Sequence, residues 1–257
     1  MTAMSTTTLT ESPAIDPKVV SDQEKKELVI SDSVSIDSST TLGLSTFSFT
    51  STKSLHVNTR GFALLRLPFP PSELETTIHN SDGSLAYRST RAKRHSGDCV
   101  LADADGNSLI STAYYFGPSK DPSLRRLNLA EDAAQSIKTV SKWTSRGHSF
   151  LLPDGRTFTW KYKREQGFGA NGAKGTALVL TLGERRIAAL IRNEETRTPG
   201  SKSCSAGNGG ELVLGEGVNG EDGPGEGLVV ATCLLMLKKE VDRRRMVQFM
   251  IITGAIS

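Results

Sequence analysis

Two patterns of apolar positions divide the chain. From Thr46 onward apolar residues recur at every second position: Phe47 and Phe49 alternate with polar residues, and so do Leu55 and Val57. A period of two sends successive side chains to opposite faces of a strand. The clearest instance is FLLPDGRTFTWKY, where Phe158, Trp160 and Tyr162 share one face and Thr157, Thr159, Lys161 and Lys163 the other. One face is therefore expected in a core and the other in solvent. Three Asp-Gly pairs, Asp82-Gly83, Asp105-Gly106 and Asp154-Gly155, each lie between apolar runs. Asp-Gly tolerates the positive φ angles of a tight turn, so each pair predicts a hairpin tip. A further hairpin is expected at Gly183-Glu184, joining ALVLTL to RRIAALIR, and a loop over Gly167 to Gly175. Before residue 225 the one candidate for an amphipathic helix is Ala130 to Val140.

The second pattern is the run Leu228 to Leu237, LVVATCLLML, which is apolar at either period and stops at KKEVDRRR, a cluster of five cations and two acids. A surface helix shows one apolar stripe, so a segment apolar all round belongs inside a domain. Ten residues are about half of the ~20 needed to cross a bilayer. Extension through Ile252 would place Lys238 to Arg245 in hydrocarbon, at roughly 2.5–3.5 kcal/mol per central charge. The β-branched Val229, Val230 and Thr232 keep a strand as the rival. Leu234, Leu235, Met236 and Leu237 favour a helix. A long antiparallel meander must hide its edges, and closure into a barrel removes them. A helix apolar on all sides would fill the interior. The fold class expected is mainly β, a closed antiparallel barrel around a central hydrophobic C-terminal helix.

A hydrophobic content of 37% is low for 257 fully folded residues. Residues 1 to about 42 are rich in Ser and Thr, with scattered acids and no aromatic residue. Such a segment cannot offset its chain entropy and is expected to be a disordered tail, with Glu27 to Ile30 able to pair with a partner. Thr198 to Gly227, dense in Gly, Ser and acids, reads as a mobile insertion containing a strand at Glu211 to Gly215. The domain plan expected is a tail over 1–42, a barrel over 43–245 carrying an insertion at about 198–227, and an apolar C-terminal tail over 246–257. Charge is uneven: residues 1–50 carry three Lys and seven Asp or Glu, and the rest 28 Lys or Arg against 21 acids. A moderately basic body fits attraction to anionic surfaces, but is too weakly charged to favour nucleic acid. Cys99, Cys204 and Cys233 are far apart and form no CxxC, which argues against a disulfide framework or a zinc site. With no basic n-region, no apolar h-region and no Asn-x-Ser/Thr, an intracellular, cytoplasmic protein is expected.

Meandering strands with Asp-Gly hairpins, the residues Phe150, Asp154, Gly155, Arg156, Phe158 and Trp160, the apolar run Leu228 to Leu237 and the cations Arg243 to Arg245 together resemble the tubby C-terminal-like superfamily. Within it the likeness is closest to a fungal domain group, and it covers roughly 46–245. The resemblance implies a barrel of about twelve strands around a hydrophobic helix, as in tubby proteins, phospholipid scramblases and LURP-one-related plant proteins. It also implies phosphoinositide binding through basic residues on the barrel, with no residue matched one to one. The acidic tail, the Gly-rich segment and the apolar ending MVQFMIITGAIS depart from that pattern.

Motifs for catalysis are lacking. GFGANG, Gly167 to Gly172, satisfies G-x-G-x-x-G, but a dinucleotide site needs a helix after it, and TALVLTL reads as strand. It is expected to be a connector, and no cofactor or metal is implied. The histidines His56, His79, His95 and His148 show no paired spacing, and no G-x-S-x-G elbow occurs. The remaining material is basic: Arg91, Lys93, Arg94 and His95; Arg125 and Arg126; Lys161, Lys163 and Arg164; Arg185 and Arg186. RAKRH can also be read as a nuclear address. If strands bearing these groups pair, Arg91, Lys93, Arg94, Lys161, Lys163 and Arg164 would converge on one barrel rim and grip phosphates. The function expected is a monomeric, non-enzymatic binding module, peripheral on anionic phospholipid headgroups. The alternative is a structural or adaptor protein that recruits protein partners through its tail.

Overall fold

The computed structural model describes residues 49–63, 73–94, 96–128 and 136–254, which lie in the second of two units, Phe47–Ser257. The tail, Glu27 to Ile30, Phe47 and His95 lie outside the described residues. Twelve strands run in order: β1 Ser51–Asn58, β2 Glu75–Asn80, β3 Leu85–Thr90, β4 Cys99–Asp103, β5 Ser108–Ala113, β6 Ser123–Arg126, β7 Ser136–Thr139, β8 His148–Leu151, β9 Thr157–Glu165, β10 Gly175–Leu182, β11 Arg185–Ile191 and β12 Gly210–Gly215. One long helix, α1, follows at Glu226–Ile252. Each strand pairs antiparallel with the next, and β12 pairs with β1 to close the barrel. Closure leaves no strand edge to template association.

The Asp-Gly pairs sit at hairpin tips, as expected, but the turn differs from a two-residue one. Gly83 N–H donates to Asn80 O at 2.9 Å and Asn80 N–H to Ser84 O at 2.8 Å. The same pair of bonds recurs at Asp103, Gly106 and Asn107, and at Leu152, Gly155 and Arg156. In each tip only the glycine has positive φ, between 85° and 89°. That is a three-residue loop, a type I turn closed by a glycine bulge. Asp82 and Asp154 each accept the N–H two residues on, at 2.9 Å, a bond that favours Asp before the glycine; at the third tip Asp103 instead accepts from Asn107 N–H at 2.8 Å.

Every second side chain of the strands turns inward. Leu55 and Val57, Ile78, Leu101, Ile110, Leu124, Ile137, Phe150, Phe158 and Trp160, Leu178 and Leu180, Leu190, Leu212 and Leu214 form one buried cluster with Leu228 to Leu237 of α1. Ten successive helical residues are buried, so the wall surrounds α1 on all sides. The predicted helix is thus observed, and its β-branched residues fit because they face a continuous apolar wall. Its one buried hydroxyl, on Thr232, accepts from Trp160 Nε1 at 3.0 Å and donates back toward Leu228 O at 2.9 Å, leaving no polar group stranded in the core.

Alternation of strand direction fixes two rims. The Asp-Gly tips share one rim with the start of α1, where Glu226 accepts from Lys53 Nζ at 2.7 Å and Tyr87 Oη at 2.9 Å. The helix leaves by the opposite rim, formed by the last residues of β1, β3, β5, β7, β9 and β11. This exit rim carries the charged turn of α1.

Three expectations need correction. Ser136–Thr139, within the helix candidate Ala130 to Val140, is strand β7; Ile137 and Thr139 are buried and Ser136 and Lys138 exposed, a period of two. The Gly-rich segment carries the expected strand, now the closing β12, but Ser205 to Gly210 is buried rather than mobile. Its glycines serve close approach: a Cβ on Gly209 would meet Val57 O at 1.9 Å, and one on Gly207 would meet Val241 Cγ2 at 2.4 Å. Finally, Met246 to Ile252 is not a separate tail but the last two turns of α1.

Candidate functional site

Once α1 leaves the apolar interior most of its side chains become charged, and they find partners on the exit rim or one turn along the helix. Lys238 Nζ donates to both oxygens of Asp242 at 2.7 Å, one turn on, and Tyr114 Oη donates to Asp242 Oδ2 at 2.7 Å. Lys239 is 1% exposed and lies 3.1 Å from Nδ1 of His148, itself fully buried. Burial, then the Lys239 and Arg243 charges, push the imidazole down to about 4, and burial pushes the Lys239 amine down to about 8.

Glu240 is held on three sides. Arg192 Nη1 and Nη2 donate to its two oxygens at 2.8 and 3.0 Å, Gly207 N–H donates at 2.8 Å, and the Tyr162 hydroxyl donates to Oε1. Burial raises the Glu240 carboxyl to about 7, against the pull of the Gly207 N–H and of Arg243, Arg146 and Arg244. The node joins the end of β11, the loop before β12, β9 and α1, so it fixes how the helix leaves the barrel.

Glu240, Arg243, Arg244, Val247, Gln248 and Ile251 recur at helical spacing and form one face of α1. That face lines an open cavity of about 640 Å³ together with Arg146, Tyr162, Arg192 and the loop Ser203 to Ala206. Four guanidiniums meet one carboxylate there. Arg243 Nη2 donates to Ser145 O at 2.6 Å, Arg244 Nη1 to Cys204 O at 3.2 Å, and Arg146 stands over the Tyr162 ring at 5.0 Å. Leu237, Lys238, Val241 and Arg245, on a neighbouring face, border a smaller cavity of about 210 Å³. The other side of this last stretch of helix is apolar and unwrapped, with Phe249 60% and Ile252 55% exposed, and at the cavity's edge Ile251 is 55% and Val247 40% exposed.

The sequence-predicted cations surround this exit without forming one patch. Arg91 lines the smaller cavity and donates to Glu73 O at 3.3 Å. Lys93 and Arg94 follow it, exposed. Lys161, Lys163 and Arg164 are exposed on β9. β3 pairs with β2 and β4, and β9 with β8 and β10, so the two groups do not converge by strand pairing. One group follows β3 and the other lies in the second half of β9, strands that both end at the exit rim, six apart in a ring of twelve, hence on opposite sides of it. Of the other basic groups, Arg126 donates to Pro224 O at 2.9 Å at the turn rim, and Arg186 pairs with Glu165. GFGANG joins β9 to β10, a strand-to-strand connector. Its Phe168 covers the outer faces of Ala177, Val179 and Ala189.

Sequence reasoning missed Arg146, Arg192, Gln248 and the pairing of Lys239 with His148. No helix among the described residues is long and apolar enough to cross a membrane, and no cluster of His, Cys, Asp or Glu among them has the makings of a metal site. Comparison with family models, curated proteins and solved structures gave no match.

Proposed function

We propose that the protein is a non-enzymatic binding module that docks its exit rim on anionic phospholipid headgroups. The observation that carries this reading is the last part of α1: an apolar helix end, with Phe249, Ile251 and Ile252 exposed, emerging through a rim flanked by Arg91, Lys93 and Arg94 on one side and Lys163 and Arg164 on the other. An apolar tip that enters the headgroup layer and cations that meet its negative charge are the two ingredients of peripheral attachment. A barrel around an apolar helix is also the architecture implied by the resemblance to the tubby C-terminal-like superfamily, which supports membership there; fold likeness by itself says little about ligand.

Sedimentation with vesicles is the test. Phosphatidylcholine vesicles containing phosphatidylserine should carry the protein down, and phosphatidylcholine alone should not. Phe249→Ser with Ile252→Ser, two exposed changes that leave the barrel interior untouched, should weaken sedimentation. A wild-type chain that stays in the supernatant with every anionic lipid would overturn the reading and leave the exposed helix end as a surface for a protein partner.

A further inference from the structure

We propose that the cavity between α1, Tyr162 and the Ser203 to Ala206 loop is a binding site for a small phosphate ester that also carries hydroxyl groups, such as a sugar or polyol phosphate. This goes beyond membrane docking and rests on other residues.

Charge comes first. Arg192 is committed to Glu240 through its fork. Arg146, Arg243 and Arg244 face the same cavity, and among the described residues none of the three has a carboxylate within ion-pair distance. Their contacts are neutral: a carbonyl for Arg243, a carbonyl for Arg244, an aromatic face for Arg146. Such contacts orient a guanidinium while leaving most of its five N–H groups unspent. Among the described residues Glu240 is the one carboxylate facing this cavity; it is already bonded to Arg192 and attracts Arg243 as well, while Arg146 opposes the Arg243 charge, so four guanidiniums share a single counter-charge. A phosphate monoester brings close to two negative charges and three acceptor oxygens, which suits several forks better than a single carboxylate does.

The second observation is independent of charge. Gln248 is 3% exposed and lines this cavity, and neither its Nε2 nor its Oε1 has a hydrogen-bond partner among the described residues. A buried amide left unpaired is costly, so an interior Gln normally has partners. Its donor and acceptor side by side match a hydroxyl group, which both gives and takes a hydrogen bond. Size agrees: about 640 Å³ exceeds what inorganic phosphate needs and falls in the range of small-molecule sites. Anion and hydroxyl recognition in one cavity define the ligand class.

Calorimetric titration of the full chain, without vesicles, decides the matter with glucose 6-phosphate, glucose and inorganic phosphate as probes. Glucose 6-phosphate should bind, inorganic phosphate more weakly, and glucose not at all. Arg146→Ala with Arg244→Ala should weaken glucose 6-phosphate binding about tenfold or more, since each removes a charge-assisted contact. Gln248→Leu keeps the volume and should erase the preference for glucose 6-phosphate over inorganic phosphate while phosphate still binds. Both variants should melt like the wild type. Phosphatidic acid vesicles form a second arm, because they present a phosphate monoester, without the hydroxyl groups, from a lipid. Sedimentation lost in the double Arg variant, with no soluble ligand bound, assigns the site to a headgroup. If no soluble phosphate binds and the double variant sediments like the wild type, the site proposal is overturned while the membrane reading stands. Binding of glucose 6-phosphate that survives the double Arg variant overturns it equally.

Discussion

Lys239 and His148 put two bases in contact inside the barrel wall, and the arrangement holds only while one of them stays neutral. The neutral one is the histidine: its pKa falls from 6.5 to about 4 through burial and the Lys239 and Arg243 charges. Between these two values the unfolded chain binds a proton that the folded chain refuses. The His148 contribution to stability therefore falls as pH drops from about 6.5 to about 4, by up to roughly 3 kcal/mol, while Glu240, raised to about 7, acts in the opposite sense over much of the same window. The difference isolates the histidine: the melting temperature of His148→Asn relative to wild type should rise as pH falls through that window. A difference that stays constant between those limits would show that the folded imidazole titrates normally. Gly207 makes a second prediction at this scale. Its φ is +70°, and a Cβ there would come within 2.6 Å of Leu237 O. Gly207→Ala should cost at least about 1–3 kcal/mol in denaturant unfolding, because strain and the clash fall on the segment whose N–H holds Glu240. Neither residue was legible in the sequence: His148 and Lys239 are 91 positions apart, and no local spacing announces such a pair. The same holds for Arg146 and Gln248, brought together only by closure of the barrel.

Elements were far more legible, because their causes are local. A period of two marks β1 and β9, Asp-Gly marks three tips, and a segment apolar on every side marks the core of α1. What escaped had its explanation elsewhere in the chain. β12 was expected at Glu211 to Gly215, but the glycines before it look like a mobile insertion and are small because β1 and α1 pass so close. α1 was expected to emerge charged after Leu237, and it does, but the helix runs on to Ile252 through the apolar ending read as a separate tail, with Lys238, Arg243 and Arg244 bonded along it to Asp242, Ser145 and Cys204. The helix is also the element on which the fold most depends. Leu235 is 3% exposed among inward side chains, so Leu235→Asp would bury a charge without a partner. Loss of cooperative melting is the expected result. A variant that melts as sharply and as high as the wild type would mean that the barrel does not need its filling.

At the scale of the molecule, closure decides how a surface would meet the protein. The sequence pattern suggested that Arg91, Lys93 and Arg94 lie beside Lys161, Lys163 and Arg164, so that reversing one group would abolish binding to anionic vesicles. The closed strand order puts them on opposite sides of the exit rim instead, with the apolar end of α1 between. Lys161 also stands about 7 Å further from the rim than Lys163, two residues back along β9 at ~3.3 Å each. That is close to the Debye length of roughly 8 Å at physiological salt, so its charge reaches a docked surface weakly. Each well-placed cation contributes about 1 kcal/mol. Reversing Lys161, Lys163 and Arg164 to Glu should therefore weaken sedimentation with phosphatidylserine vesicles by about tenfold to a hundredfold without abolishing it. Adding the reversal of Arg91, Lys93 and Arg94 should remove nearly all of the salt-sensitive part. The remainder should resist salt and disappear with Phe249→Ser and Ile252→Ser. If the first reversal alone abolishes binding, the surface is met by the side of β9 rather than by the rim, and the helix end has no part in it.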